Sequence, residues 1–296
     1  MLARGAEGSW DSVDTLNPSV VRLNGRWLNI YSGFDGRVWR SGAAWSADGL
    51  QWTRAAKILS PGETPASAWE GHSIAANGHA LLQHGEIFYW YQAGDPPRLG
   101  LARSRDGEHW IRHGPPVLDP GPRGSWDEMG VADPYVIQRD GWLYLYFLGQ
   151  DRARRQRLGL ARSRDGILWE KLRANPILEL GDDGLFDENG LGEPAVWIAH
   201  NRYWMLYTGR DRFENRRMGL AHSADGVHWR RYRDTAVLAG EQPWNARVVC
   251  DATIAVDESA PNRVHVWFGG GDLPHPAENV HGQIGHAYLT METVAP

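Results

Sequence analysis

Hydrophobic and polar positions alternate along this chain in short bursts, and none of them recurs at helical spacing over a long stretch. A segment such as Trp142-Leu-Tyr-Leu-Tyr-Phe147 predicts a buried or half-buried strand, and Gly, Asn or Asp stands at the ends of such bursts. The bursts recur in a fixed order. Ser46-Ala-Asp-Gly-Leu-Gln-Trp52 returns as Ser104-Arg-Asp-Gly-Glu-His-Trp110, Ser163-Arg-Asp-Gly-Ile-Leu-Trp169 and Ser223-Ala-Asp-Gly-Val-His-Trp229. The aspartates Asp48, Asp106, Asp165 and Asp225 are 58, 59 and 60 residues apart. Ahead of three copies stands Leu-Gly-Leu-Ala, at residues 99–102 and 158–161 and, with Met218 leading, at 218–221. Asp-Gly predicts a hairpin turn, its glycine supplying the positive φ, and the tryptophan after it suits a half-buried outer strand.

A second series opens each unit: Trp10, Trp69, Trp126, Phe186 and Trp244. A short strand follows each of them, beginning at Asn17-Pro, Asn77-Gly, Asp133-Pro, Glu193-Pro and Asp251-Ala. Then come a turn, an aromatic strand, and a turn carrying Asp35, Asp95, Asp151, Asp211 or Asp272. Each unit therefore predicts four antiparallel strands in about 59 residues, and five such units account for the chain. The expected fold is all-β: a single-domain, five-bladed β-propeller with blades near 10–60, 69–119, 126–179, 186–239 and 244–294. A β-sandwich would not require so strict a long period. The fifth unit lacks the Ser-x-Asp-Gly-x-x-Trp strand, so its fourth strand is expected either from Met291–Val294 or from the N-terminus.

Composition agrees with this picture and narrows the function. Sixteen tryptophans and 35 glycines suit many strands and tight turns. A net charge of −5 argues against a nucleic-acid footprint, and no run approaches the length of a membrane span. Residues 1–9 lack the apolar core of a secretory signal, so a cytoplasmic protein is expected. Cys250 is the single cysteine, which rules out an internal disulfide and any multi-cysteine metal site.

Propeller topology turns the repeat into geometry. Equivalent residues of successive first strands ring the central channel, so Asn17, Asn77, Asp133, Glu193 and Asp251 should meet at one mouth. The turns bearing Asp35, Asp95, Gln150, Asp151, Arg210, Asp211 and Asp272 should rim the same depression. Three carboxylates converging there cannot all stay ionised, and a proton-holding carboxyl facing an ionised one is the equipment of glycoside hydrolysis. Turn chemistry alone also explains an aspartate repeated in every unit. The difference between Asp133 and Glu193 at one repeat position points instead to chemistry. Asp211, flanked by Arg210 and Arg212, is a candidate substrate contact, as are Gln150 and Asn17. Trp69 and Trp126 are candidate sugar-stacking faces, although repetition also fits packing. His72, which has no counterpart in the other units, is a candidate hydrogen-bond partner. Trp52, Trp110, Trp169 and Trp229 are expected to pack between blades.

On these residues the chain resembles the five-bladed propeller glycosidases, a superfamily holding arabinanases, β-xylosidases, invertases and levansucrases. The resemblance rests on the Ser-x-Asp-Gly-x-x-Trp repeat, Asp133-Pro134 and Glu193-Pro194, and it spans essentially the whole chain. It implies that Glu193 is the general acid and Asp133 the stabilising or acid-tuning aspartate. The superfamily's nucleophile or base, an aspartate opening blade one, is here Asn17, which can neither attack nor take a proton. Asp14 or Asp251 could serve instead. Phosphate is another candidate, since the related mannoside phosphorylases also have an Asn-Pro opening; Arg152, Arg210 and Arg212 would then form its pocket. The remaining reading is a propeller that binds carbohydrate without cleaving it. The expected substrate is a small oligosaccharide or glycoside. No cofactor is expected beyond a calcium or sodium ion on the channel axis, which the resemblance allows without assigning ligands.

Overall fold

In the computed structural model, residues 1–257, 260, 262–276 and 278–291 are described. They form an all-β chain in which the only helical segments among the described residues are two short 3-10 turns, Pro65–Glu70 and Pro243–Asn245. The strands pair as successive antiparallel meanders. The first comprises β1 (Asp14–Leu23), β2 (Arg26–Phe34), β3 (Trp39–Ser46) and β4 (Thr53–Leu59). The second is β5 (Ile74–Gln83), β6 (Glu86–Ala93), β7 (Arg98–Ser104) and β8 (Ile111–Arg112). The third is β9 (Gly130–Arg139), β10 (Trp142–Gln150), β11 (Gln156–Ser163) and β12 (Glu170–Lys171). Next come β13 (Gly190–Ala199), β14 (Arg202–Arg210), β15 (Arg216–Ser223) and β16 (Arg230–Arg231). Last are β17 (Val248–Val256), β18 (Arg263–Gly271) and β19 (Gln283–Thr290). Among the described residues no helix is long and apolar enough to cross a membrane.

First strands pack side by side, β1 on both β5 and β17, and the series β5, β9, β13, β17 closes into a ring. Side chains stitch its seams: the Ala80 N–H donates to Ser19 Oγ at 2.7 Å, the Val136 N–H to His79 Nδ1 at 3.2 Å, and the Val20 N–H to Thr253 Oγ1 at 3.5 Å. The last meander is completed at its edge by the N-terminus, where Leu2 bridges Ile284. Of the alternative fourth strand, Met291–Val294, residues 292–294 lie outside the described residues.

The repeated turn is built by its own side chains. Ser46 Oγ accepts the N–H groups of Asp48 and Gly49, while Asp48 Oδ1 accepts those of Leu50 and Gln51; the other three copies repeat this. Three of these turns dock on an aromatic residue of another meander. Trp267 Nε1 donates to the Gly49 carbonyl, Trp90 Nε1 to that of Gly166, and the Tyr146 hydroxyl to that of Gly226. Trp52, Trp169 and Trp229 accordingly sit edge-on to Trp267, Trp90 and Tyr146 across those seams, whereas Trp110 meets Tyr89 of its own meander.

A second repeated device binds the two ends of each meander. The residue after the opening aromatic is Asp11, Glu70, Asp127, Asp187 or Asn245. Asp187 is fully buried and accepts from the Tyr207 hydroxyl at 3.0 Å and Arg231 Nε at 2.8 Å. Asp11 does the same with Tyr31 and Arg54, while Glu70 accepts from the Tyr91 hydroxyl and forms an ion pair with Arg112 at 3.2 Å. Asp127 is paired with Lys171, with Phe147 at the tyrosine position. The last meander lacks a fourth-strand cation of its own; there the acid is Asn245 and the tyrosine Phe268, so no buried charge is left over.

Candidate active site

Each first strand carries a β-bulge at the same place. Residues 17–18 together oppose Tyr31, and 77–78, 133–134, 193–194 and 251–252 likewise oppose one residue each on the second strand. A bulge re-aims its side chain and is common beside active sites. The leading residue of each is left-handed: Asn17 has φ 48°, Asn77 49°, Asp133 47°, Glu193 49° and Asp251 56°. Asn and Asp tolerate that region through short polar side chains, whereas Glu193 is held there at a cost of roughly 1 kcal/mol. Proline follows three of the five, at a bulge position where no ladder N–H is needed.

All five leading residues line one cavity of about 470 Å³. Gln92, Gln150 and Arg210 enter it from the ends of β6, β10 and β14. Trp39, Pro97, Gln156 and Arg216 occupy one equivalent position, three residues before Gly42, Gly100, Gly159 and Gly219. Phe34 and Trp39 stack at 4.8 Å and give the wall an aromatic face.

Three ring positions are acidic, and they interact. Burial and then the charge of Glu193 push Asp133 well above the usual carboxylate range, against the opposing charge of Arg216. Asp251 is pushed up by the same two causes, while a hydrogen bond from Cys250 and the charge of Arg216 act downwards. Asp251 Oδ2 accepts from Cys250 Sγ at 3.0 Å and from the Asn17 N–H at 3.4 Å. Asp251 Oδ1, Glu193 Oε2 and Asn77 Oδ1 are buried and have no hydrogen-bond partner among the described residues. Atoms of Glu193, Cys250 and Asp251 lie within 4.8 Å of one another. With a thiol and the Arg216 guanidinium in that space, the cluster is a poor cage for calcium or sodium, hard cations that take oxygen ligands.

The cavity thus brings together Asp133, Glu193, Asp251, Asn17, Gln150 and Arg210. It does not take in Asp14, His72, Trp69, Trp126 or Asp211, each for a physical reason. The Asp14 carboxylate is saturated by the N–H groups of Asn279, Val280 and Gly282, at 2.6, 3.1 and 2.7 Å. His72 is exposed and off the cavity wall. Trp69 donates to the Gly114 carbonyl, and Trp126 fills the space that Gly149 and Gly159 leave over β10 and β11. Asp211 accepts the N–H groups of Phe213 and Asn215 and shapes its turn, as Asp35 and Asp151 shape theirs. Arg152 and Arg212 are also off the wall, paired with Glu128 and Glu188. The sequence reading missed Arg216, Gln156 and Trp39; their signal was variation of residue type at one repeat position.

Comparison with solved structures identifies the fold first. A glycosyl hydrolase from Bacteroides ovatus superposes with a TM-score of 0.75 at 18% identity, over 95% of this chain and 85% of that one. A thermostable family-43 glycoside hydrolase gives 0.76 at 14% identity, over 99% and 94%. These likenesses show the fold: an all-β propeller. The family model described as the glycosyl hydrolases family 32 N-terminal domain matches residues 86–268, and the chain belongs to that family. It is a glycoside hydrolase-like enzyme. An uncharacterised protein of Mycobacterium tuberculosis (strain H37Rv) is 27% identical over 231 residues, 75% of each chain. The sucrose-6-phosphate hydrolase of Escherichia coli is 31% identical over 140 residues, 45% of this chain and 27% of that one.

Proposed function

We propose that the protein cleaves a glycosidic bond in a small oligosaccharide or glycoside, with Glu193 as general acid, Asp251 as attacking carboxylate and Asp133 stabilising the positively charged transition state. One observation carries this reading: Glu193 and Asp251 both line the cavity, each has a buried carboxylate oxygen with no hydrogen-bond partner among the described residues, and atoms of the two side chains lie within 4.8 Å. Inverting enzymes keep about 6.5–9.5 Å between carboxyls for a water, whereas retaining ones keep about 5–5.5 Å. The spacing therefore supports retention. Asp251 forms a bond to the anomeric carbon as Glu193 gives its proton to the departing oxygen. Water then attacks that carbon, losing a proton to Glu193, and Asp251 leaves. Asn17, Asn77, Gln92, Gln150 and Arg210 would hold sugar hydroxyls, and Phe34–Trp39 the apolar face of a ring.

The same reading takes the five meanders as five blades of one domain, four strands each, the fifth completed by the N-terminal segment. It places the enzyme in the cytoplasm on imported substrate, apart from nucleic acid. The pairing of Arg152 and Arg212 with glutamates takes two of the three expected cations away from a phosphate pocket and favours water as the acceptor.

The test is product analysis by mass spectrometry over a panel of oligosaccharides and aryl glycosides, with and without phosphate. Glu193→Gln and Asp251→Asn should each lose about 10²–10⁴ or more of turnover while remaining folded. Sugar binding without product in the parent protein would overturn the reading, as would full turnover by Asp251→Asn. A sugar phosphate formed in strict dependence on phosphate would replace hydrolysis with phosphorolysis.

A further inference from the structure

Arg216 is the one arginine at its repeat position, where the other meanders place Trp39, Pro97, Gln156 and Gly282. It is 7% exposed yet borders the cavity. Its Nη2 donates to the carbonyls of His275 and Pro276, at 3.0 Å each, which fixes the guanidinium. Glu193 and Asp251 line the same cavity, and with Cys250 they act on that cation electrostatically. The other arginines on the wall are placed differently: Arg210 lies 3.4 Å from Glu214, and Arg37 is exposed at the rim.

We propose that Arg216 is a positioning residue for bond cleavage: its pinned guanidinium is the counter-charge that favours the Asp251 anion against the burial and the Glu193 charge that oppose it, so that a carboxylate from the last meander replaces the one missing at Asn17. This rests on the reading of Asp251 as the attacking group. The groups facing Asp251 can be followed element by element. β9 brings Asp133 and β13 brings Glu193, both of which oppose its ionisation. β15 brings Arg216, its own strand the Cys250 thiol, and β1 the Asn17 N–H, all of which favour the anion. Neighbouring β14 contributes the Thr208 hydroxyl, which receives the Asp251 N–H, and β18 contributes Gly269, without charge. Arg216 is the sole full positive charge in that set. Lysine is no equal substitute, since a point charge cannot hold two carbonyls and face two carboxylates at once.

The experiment follows the side-chain carboxyl of Asp251 by ¹³C NMR titration in the full chain, the signal being assigned by its loss in Asp251→Asn. Arg216→Met should raise the Asp251 midpoint by about one pH unit or more, and Arg216→Lys by less. With a turned-over glycoside, kcat should fall ~10–100-fold in Arg216→Met, its acid limb displaced to higher pH and KM little changed. An unchanged midpoint overturns the proposal, as does a raised KM with kcat and pH profile intact, which would make Arg216 a substrate contact. If Arg216→Met does not fold, an unmoved midpoint in Arg216→Lys overturns it equally. A displaced midpoint together with full turnover by Asp251→Asn would leave the tuning by Arg216 in place and remove the attacking role of Asp251.

Discussion

Asp133 stores free energy in the folded protein. Burial and Glu193 raise its proton affinity well above that of the unfolded chain, where the carboxyl titrates near pH 4. Between about pH 4 and the raised value the folded state binds the extra proton, so stability falls as pH rises through that window. Asp133→Asn removes the titration. The variant should be more stable than the parent at pH 7 by at least ~1 kcal/mol, with the gain vanishing near pH 3–4, while turnover drops. Urea unfolding at several pH values checks this; equal stability at pH 7 would contradict it. Individual residues were legible in the sequence where repeat equivalence fixed the direction of a side chain, as at Asp133, Glu193 and Asp251. Asp14 was misplaced because nearness in sequence to Asn17 was read as nearness in space. Strand side chains alternate faces, so an offset of three points the other way, and Asp14 serves a loop instead.

At the scale of the element, the acid–tyrosine–cation device explains why short outer strands such as β16, two residues long, hold their place. Arg231 reaches from β16 to Asp187, beside the opening aromatic of the same meander. Arg231→Met leaves the fully buried Asp187 with Tyr207 alone and should cost about 3–5 kcal/mol. Copying the last meander's arrangement, as Asp187→Asn, Tyr207→Phe and Arg231→Met together, should recover most of that loss, because no buried charge remains. Denaturant midpoints of the single and triple variants decide between these outcomes. The strands, their order and the hairpin turns were readable because turn chemistry is local. The ion-paired device was also present, as an acid after four of the five opening aromatics. It went unread because its tyrosine and cation come from strands tens of residues away, whose register only the fold supplies.

For the whole molecule, closure combines the packing of β1 on β17 with a short contact of the N-terminal segment on the last meander. Leu2 is 2% exposed against the last meander, where it pairs with Ile284 in both directions at 3.0 Å. Leu2→Ala should therefore lower stability by at least ~2 kcal/mol, with one cooperative transition retained in thermal unfolding. A separate early transition, with the main one unmoved, would show the contact to be a local edge. The period of the repeat predicted a closed array, and the unequal last unit predicted that one meander needs help. The five left-handed bulges have a consequence of another kind. Their backbone is set by the strand pairing around them, and Asn, Asp and Glu already occupy the five positions interchangeably. Chemistry and architecture can thus change independently in a lineage of such chains: a single amide-to-acid exchange relocates a charge around the axis without asking the scaffold to move.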